Sequence, residues 1–329
     1  ILACPSNLGR LMSKVFGEVP HILSANQFSK EWVEKTLFPD AYLFEHYLNN
    51  KPKKLLDFVE NKRLRFLFYE PSERTLDSFI SAADLLGIKS VWLGDPSLSS
   101  SQAKGESFVD MIRVIDQYQY DGIILRSKNI GDAALAASVS RTPIINAGDG
   151  AGEHPTQALL DVFTIHKSFG TIDGLTIGIV GDLKYSRTVH SLVKLLARWK
   201  IKKLYLIGPH ELRLGEVEKE ILRFQQVEIA ETTSLSEVSS ELDVVYLTRI
   251  QNERMTGALD LDLNKVDVKL TKDILNGMKD TAKVLHPLPR NDLFGELPEE
   301  LTNDSKVIIF QQVRNGLLIR MALLHQVLR

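Results

Sequence analysis

Short apolar runs that read as strands alternate with stretches of helical periodicity along most of the chain. This alternation restricts the fold to the α/β class. Leu64 to Tyr69 is strand-like, and Leu76, Phe79, Ile80 and Ala83 then recur at helical spacing. Ser90 to Leu93 is the next strand, followed by a polar loop from Pro96 to Gly105. Phe108, Val109, Ile112 and Ile115 mark a helix, Gly122 to Leu125 a strand, Ala133 to Val139 a helix and Pro143 to Asn146 a strand. Such a run of βα units favours a parallel sheet with helices on both faces.

A second series follows the glycine cluster Gly148-Asp149-Gly150-Ala151-Gly152. Ala158 to Phe169, Val189 to Trp199 and Val217 to Phe224 are helical in pattern. Leu175 to Val180, Leu204 to Ile207, Val244 to Leu247 and Val284 to Leu285 are strand-like. The expected architecture is two α/β domains, each a mostly parallel sheet with helices on both faces. They span 1–150 and 151–329. The apolar helix Leu317 to Leu328, within about 316–329, is expected to pack back on the first domain.

The chain has 329 residues, enough for two domains of ordinary size. Its 40 Lys+Arg and 42 Asp+Glu leave a net charge of −2, which gives no sign of a nucleic-acid or membrane surface. The lone Cys4 excludes an internal disulfide and a cysteine-built metal site. No apolar run reaches the roughly 18 residues of a membrane span. Ile1 to Ser6 lacks the basic start of a signal peptide. A cytoplasmic protein is expected.

In open α/β sheets, ligands bind at the carboxyl ends of the strands. The polar clusters of this chain fall there. Phe68-Tyr69-Glu70-Pro71-Ser72-Glu73-Arg74-Thr75 ends the first strand and opens a helix. A helix start offers free N–H groups and the positive end of the dipole. Ser72 and Thr75 can donate to phosphate oxygens, and Arg74 can bind them as a charged fork. An N-cap serine beside an exposed arginine would leave the same pattern. There is no GxxxxGK[ST] loop, and no Gly-x-Gly-x-x-Gly follows a strand, so neither a P-loop nor a dinucleotide site is expected.

Arg126 ends the third strand, and His154 and Gln157 follow the fourth in His-Pro-Thr-Gln. His154 could cap a helix or donate to a developing oxyanion, and Gln157 could hold an amide. In the second half, Arg187, Arg249 and Arg254 lie on separate strand-end loops, with Lys184 nearby. Guanidiniums grip carboxylates in bidentate fashion, and solvated ion pairs are the plain alternative. Lys104 lies in the polar loop Ser100-Ser101-Gln102-Ala103-Lys104-Gly105-Glu106, either as a mobile surface lysine or as part of a lid.

Together these segments resemble the catalytic chain of the aspartate carbamoyltransferases, from about Ser24 to the end. The resemblance rests on Phe-Tyr-Glu-Pro-Ser-x-Arg-Thr, the Lys104-Gly-Glu loop and Asn146-Ala-Gly-Asp-Gly. It continues through His154-Pro-Thr-Gln-Ala-Leu-Leu-Asp, Gly181-Asp-Leu-Lys-Tyr-Ser-Arg-Thr-Val-His-Ser, Thr248-Arg-Ile-Gln-x-Glu-Arg and His286-Pro-Leu-Pro-Arg. It implies a first domain for carbamoyl phosphate and a second for L-aspartate. Ser72, Arg74 and Thr75 match the phosphate grip, Arg126 and His154 the groups on the carbonyl oxygen, and Gln157 one near the carbamoyl amide. Arg187, Arg249 and Gln251 match binders of the aspartate carboxylates. Leu288, followed by Pro289, matches a residue whose backbone carbonyl faces the substrates. Ser100 and Lys104 match a loop lent by the neighbouring subunit of a homotrimer with shared sites. Glu70 matches a carboxylate that ties the domains together through Arg187 and Arg254 on closure. The resemblance implies no cofactor and no metal in the active site, and it allows regulatory or other pathway subunits as partners.

The resemblance further implies that the neutral amine of aspartate attacks the carbamoyl carbon. Arg126, Thr75 and His154 would stabilise charge on the carbonyl oxygen. Arg74, Lys104 and the helix start would stabilise the departing phosphate.

One departure stands out. The family usually reads Ser-Thr-Arg-Thr followed by Arg or Ser, and this chain has Glu73 and Leu76 instead. Two unit charges about 4 Å apart repel by about 4 kcal/mol at an effective dielectric near 20. Glu73 could turn outward, pair with a cation, or cripple the site. A working enzyme with weakened carbamoyl phosphate affinity is the expectation. A carbamoyltransferase for ornithine, or an impaired scaffold of the same fold, are the alternatives. His286-Pro-Leu-Pro, His154-Pro-Thr-Gln and Arg249 favour aspartate over ornithine.

Overall fold

The computed structural model describes residues 20–50, 58, 59, 61–94, 104–251, 267–290 and 295–329. The chain divides into two compact units: residues up to Leu159 with Asn315–Arg329, and Leu160–Arg314. The division falls inside the helix Pro155–Phe169, a few residues beyond the glycine cluster near 150.

The first unit holds four strands, β1 (Arg63–Phe68), β2 (Lys89–Trp92), β3 (Gly122–Ser127) and β4 (Ile144–Asp149). They form one parallel sheet in the order β2-β1-β3-β4. β3 and β4 are buried along their whole length, the pattern of strands in a parallel sheet covered on both faces. Its described helices include α1 (Phe38–Asn50), α2 (Glu73–Leu85), α3 (Phe108–Asp116) and α4 (Asp132–Val139), and α5 (Pro155–Phe169) begins in it. α2 shows why the pattern is helical: Leu76, Phe79, Ala82 and Ala83 recur on one face and are all buried. The strand order reverses direction at β1. With right-handed crossovers this places α2 on one face and α3 and α4 on the other. The crevice between the carboxyl ends of β1 and β3 is therefore the topological switch point of this sheet.

The second unit repeats the plan with five strands in the parallel order β7-β6-β5-β8-β9. These are β5 (Thr176–Val180), β6 (Lys203–Ile207), β7 (Ile229–Thr232), β8 (Val244–Leu247) and β9 (Lys283–Leu285). Between them run α6 (Arg187–Leu196), α7 (Glu216–Phe224) and α8 (Lys272–Gly277). Its switch point lies between β5 and β8. An apolar core around Val180, Ile207, Val245, Leu247 and Val284 packs against this sheet.

The last helix, α9 (Ile309–Leu328), ends in the first unit. There Arg320 donates to Ser78 Oγ at 2.9 Å, and His325 Nδ1 lies 2.8 Å from Asp40 Oδ2. Gln326 donates to the same Asp40 oxygen at 2.6 Å.

Among the described residues, periodicity missed several elements, β7, α1 and α8 among them. β7 is a short, half-polar edge strand, Ile-Ala-Glu-Thr, defined only by its pairing with β6. α1 and α8 also escaped it. β4 runs to Asp149, three residues past the expected end, because its polar residues are buried beside β3.

Candidate active site

In the first unit, the segment after β1 turns directly into α2. Ser72 is its N-cap, with extended φ of −159°, and its side chain makes no capping hydrogen bond. Its Oγ donates instead to Thr75 Oγ1 at 3.0 Å. The serine hydroxyl therefore does not occupy the N–H groups of the first turn, which point toward any anion placed at this helix start. Arg74 is exposed on the same turn, and Thr75 is buried.

Arg126 stands at the end of β3, across the switch point from this turn, and is 6% exposed. Its Nη1 donates to the Ala147 carbonyl at 3.0 Å, and its Nη2 lies 3.3 Å from Glu70 Oε1. These contacts tie the ends of β1, β3 and β4 together and fix a guanidinium at the crevice. Glu70, for which the resemblance implies a role in closure, pairs here with Arg126.

His154 follows β4 and immediately precedes α5; it is buried, as is Gln157 one turn on. His154 Nδ1 lies 3.4 Å from Thr156 Oγ1. The loop that carries it is fastened at several points. Asp149 Oδ1 accepts the Glu153 N–H at 2.6 Å, and Asp149 Oδ2 accepts that of Gly131 at 3.1 Å. Burial pushes the Asp149 carboxyl above its usual value, and these hydrogen bonds pull it back. Glu153 in turn accepts from Ser24 Oγ at 2.7 Å and from the Ala25 N–H at 2.9 Å.

Glu73 is the first residue of α2 and is exposed. A carboxylate at that position is favoured by the helix dipole. Leu76 is 7% exposed and belongs to the buried face of α2, so this departure faces the core. Lys104 is exposed in a turn. Ser100 and Arg254 lie outside the described residues.

In the second unit, the loops after β5 and β8 are joined by one buried carboxylate. Asp182, fully buried, accepts from the N–H groups of Lys184 at 3.1 Å and Tyr185 at 2.9 Å. Its other oxygen accepts from the Gln251 N–H at 3.3 Å. Burial raises the Asp182 carboxyl above the usual range, and the three N–H groups oppose that rise. Gly181, at φ +112°, lets the two loops touch: a Cβ there would sit 2.3 Å from the Thr248 carbonyl oxygen. The Asp182 N–H donates to Thr248 Oγ1 at 3.1 Å, which closes the clasp.

This clasp presents Arg187 at the first turn of α6, and Arg249 and Gln251 after β8. Arg187 and Gln251 are buried and Arg249 is half-buried. Guanidiniums held this way suit carboxylates. Leu288 and Pro289 follow β9, Leu288 half-buried and Pro289 exposed. Leu288 has a positive φ of 57°.

Asp182, Asp149 and Glu153 hold the loops that carry the expected site residues, yet residue type alone did not single them out. The available signal was an acid directly after a strand-end glycine, as in Gly181-Asp182. Among the described residues, no group of three or more His, Cys, Asp and Glu is placed to hold a metal ion. Among them too, no helix is long and apolar enough to cross a membrane.

Comparison with known proteins gives this geometry a family. Residues 20–167 match the model described as aspartate/ornithine carbamoyltransferase, carbamoyl-P binding domain. Residues 173–327 match the Asp/Orn binding domain of the same family. The aspartate carbamoyltransferase catalytic subunit of Thermococcus kodakarensis is 45% identical over 303 residues, covering 92% of this chain and 95% of that protein. A chloroplastic aspartate carbamoyltransferase of Pisum sativum is 40% identical, covering 93% and 78%. Among solved structures, the aspartate transcarbamoylase of Trypanosoma cruzi in complex with carbamoyl phosphate and aspartate superposes with a TM-score of 0.87. It is 38% identical, and the match covers 94% of this chain and 97% of that one. By both family models and by these relatives, the chain belongs to the aspartate/ornithine carbamoyltransferase family and, within it, to the aspartate carbamoyltransferases.

Proposed function

We propose that this chain transfers the carbamoyl group of carbamoyl phosphate to the amine of L-aspartate, giving N-carbamoyl-L-aspartate and phosphate. The observation that carries the reading is the placement of two different anion-suited sets of groups at two switch points. The first unit offers a helix start with Ser72, Arg74 and Thr75 opposite Arg126. The second offers Arg187, Arg249 and Gln251 on loops clasped by Asp182. The first set suits a phosphate with a polarised carbonyl, and the second suits a dicarboxylate.

Ser72, Arg74, Thr75 and the α2 N–H groups hold the phosphate and stabilise it as it leaves. Arg126, Thr75 and His154 donate to the carbamoyl oxygen as charge develops on it, and Gln157 holds the amide. Arg187, Arg249 and Gln251 orient aspartate so that its neutral amine meets the carbamoyl carbon, with the Leu288 carbonyl and Pro289 beside it. The N–C bond forms, the C–O bond to phosphate breaks, and the departing phosphate takes the amine proton. Holding two anions in attack geometry supplies much of the acceleration. Ser100 and Lys104 come from a neighbouring subunit of a homotrimer, and Glu70 and Arg254 act in closure. The protein is cytoplasmic and serves pyrimidine biosynthesis.

The test is product formation by the purified protein with carbamoyl phosphate and either L-aspartate or L-ornithine. Carbamoyl aspartate is expected, and citrulline is not. No product from either amine, with neither ligand shifting the melting temperature, ends this reading.

A further inference from the structure

His286 ends β9, and the chain turns there through Pro287, Leu288 and Pro289. Its imidazole is held at both nitrogens. Nδ1 accepts the Leu288 N–H at 2.8 Å, and Nε2 lies 3.0 Å from Glu296 Oε1. A backbone N–H can only donate, so Nδ1 carries no proton and the proton of the neutral ring sits on Nε2, aimed at Glu296. The His286 backbone is fixed as well: its N–H donates to Gln312 Oε1 at 2.9 Å. Gln312 donates in turn to Asp161 at 2.6 Å, and Asp161 also accepts from Tyr246 Oη at 2.8 Å. His286, Glu296, Gln312 and Asp161 are all at most 1% exposed.

Buried polar groups of this kind are stable only when their partners are in place. The network also converges on a strained residue. Leu288 has φ of 57°, a left-handed backbone that costs a non-glycine residue roughly 1 kcal/mol or more. The Leu288 N–H bond to His286 is a contact that holds it there. We propose that His286 and Glu296 are positioning residues: they fix the Leu288 backbone so that its carbonyl is aimed at the amine of the incoming substrate. This rests on the carbamoyltransferase reading, in which that carbonyl faces the substrates. Glu296 sets which ring nitrogen carries the proton, His286 sets the Leu288 backbone, and neither touches substrate.

The test compares aspartate with succinate, a dicarboxylate of the same length that lacks the amine. In Glu296→Leu the aspartate KM should rise about tenfold and kcat should fall, while the inhibition constant of succinate moves less than about twofold. Glu296→Gln keeps an acceptor for the Nε2 proton and should recover most of the loss. His286→Gln, which cannot span both partners, should show the same aspartate-selective defect and serves if Glu296→Leu does not fold. Melting with and without inorganic phosphate reports whether the first unit stays intact. Equal losses for aspartate and succinate, no loss in either variant, or no recovery in Glu296→Gln overturns the proposal. A wild-type protein that makes no carbamoyl aspartate defeats the underlying reading instead.

Discussion

In the first unit, the groups suited to phosphate come from one turn of chain, Ser72 to Thr75, with Arg126 facing them across the switch point. In the second, the groups suited to carboxylates come from the separate ends of β5 and β8, and the buried Asp182 holds those ends together. A helix start is a ready-made anion site, because the N–H groups and the dipole come with the helix. A dicarboxylate has two charges several bonds apart and needs donors from separate loops. Those loops need a scaffold. Asp182 supplies it between β5 and β8, and after β9 the His286 network holds the Leu288 turn.

The largest effect is expected from Asp182→Ala. It would leave the N–H groups of Lys184, Tyr185 and Gln251 without their acceptor. Steady-state kinetics should show kcat/KM for aspartate lower by roughly 10²–10³-fold. Phosphate binding, read by calorimetry, should stay as in the wild type. If phosphate binding falls equally, the two sets of groups are not independent.

Arg74→Gln tests the other side. Loss of the charged fork should lower kcat by roughly 10²-fold and weaken phosphate binding. Binding of succinate in the absence of carbamoyl phosphate should not change.

The first unit has a buried polar support of its own. His21 is buried beside the edge of β4, and its Nδ1 accepts the Ile144 N–H at 3.0 Å. Burial lowers its pKa from 6.5 to about 4, against a smaller opposing pull from Asp116. The unfolded chain therefore binds a proton between those values that the folded chain refuses. Stability should fall as pH drops through that window, by about 3 kcal/mol in all, and the His21 contribution should level off below about pH 4. Urea titrations at pH 7 and pH 5 should show this slope, and His21→Gln should flatten it.

The smallest effect is expected at Glu73. Its exposed carboxylate shares the α2 start with the proposed phosphate site. Glu73→Thr should lower the carbamoyl phosphate KM by about fivefold without changing the aspartate KM. An unchanged constant would mean that Glu73 does not face the anion.

The amino-acid sequence alone determined the alternation of strands and helices and the strand-end position of Ser72, Arg74, Arg126, His154, Arg187 and Arg249. Periodicity and short motifs are local, and they survive without knowledge of what packs against them. Leu76 was half legible: its spacing marked a buried face, yet beside Arg74 and Thr75 it looked like a damaged binding residue. The tertiary structure alone decided the orders β2-β1-β3-β4 and β7-β6-β5-β8-β9, and with them the two switch points. It also decided the supports. Asp182 meets Gln251 from 69 residues away, Gln312 meets Asp161 from 151, and Glu153 meets Ser24 from 129. A buried carboxylate is costly until its donors arrive, and those donors are brought by folding rather than by neighbouring sequence.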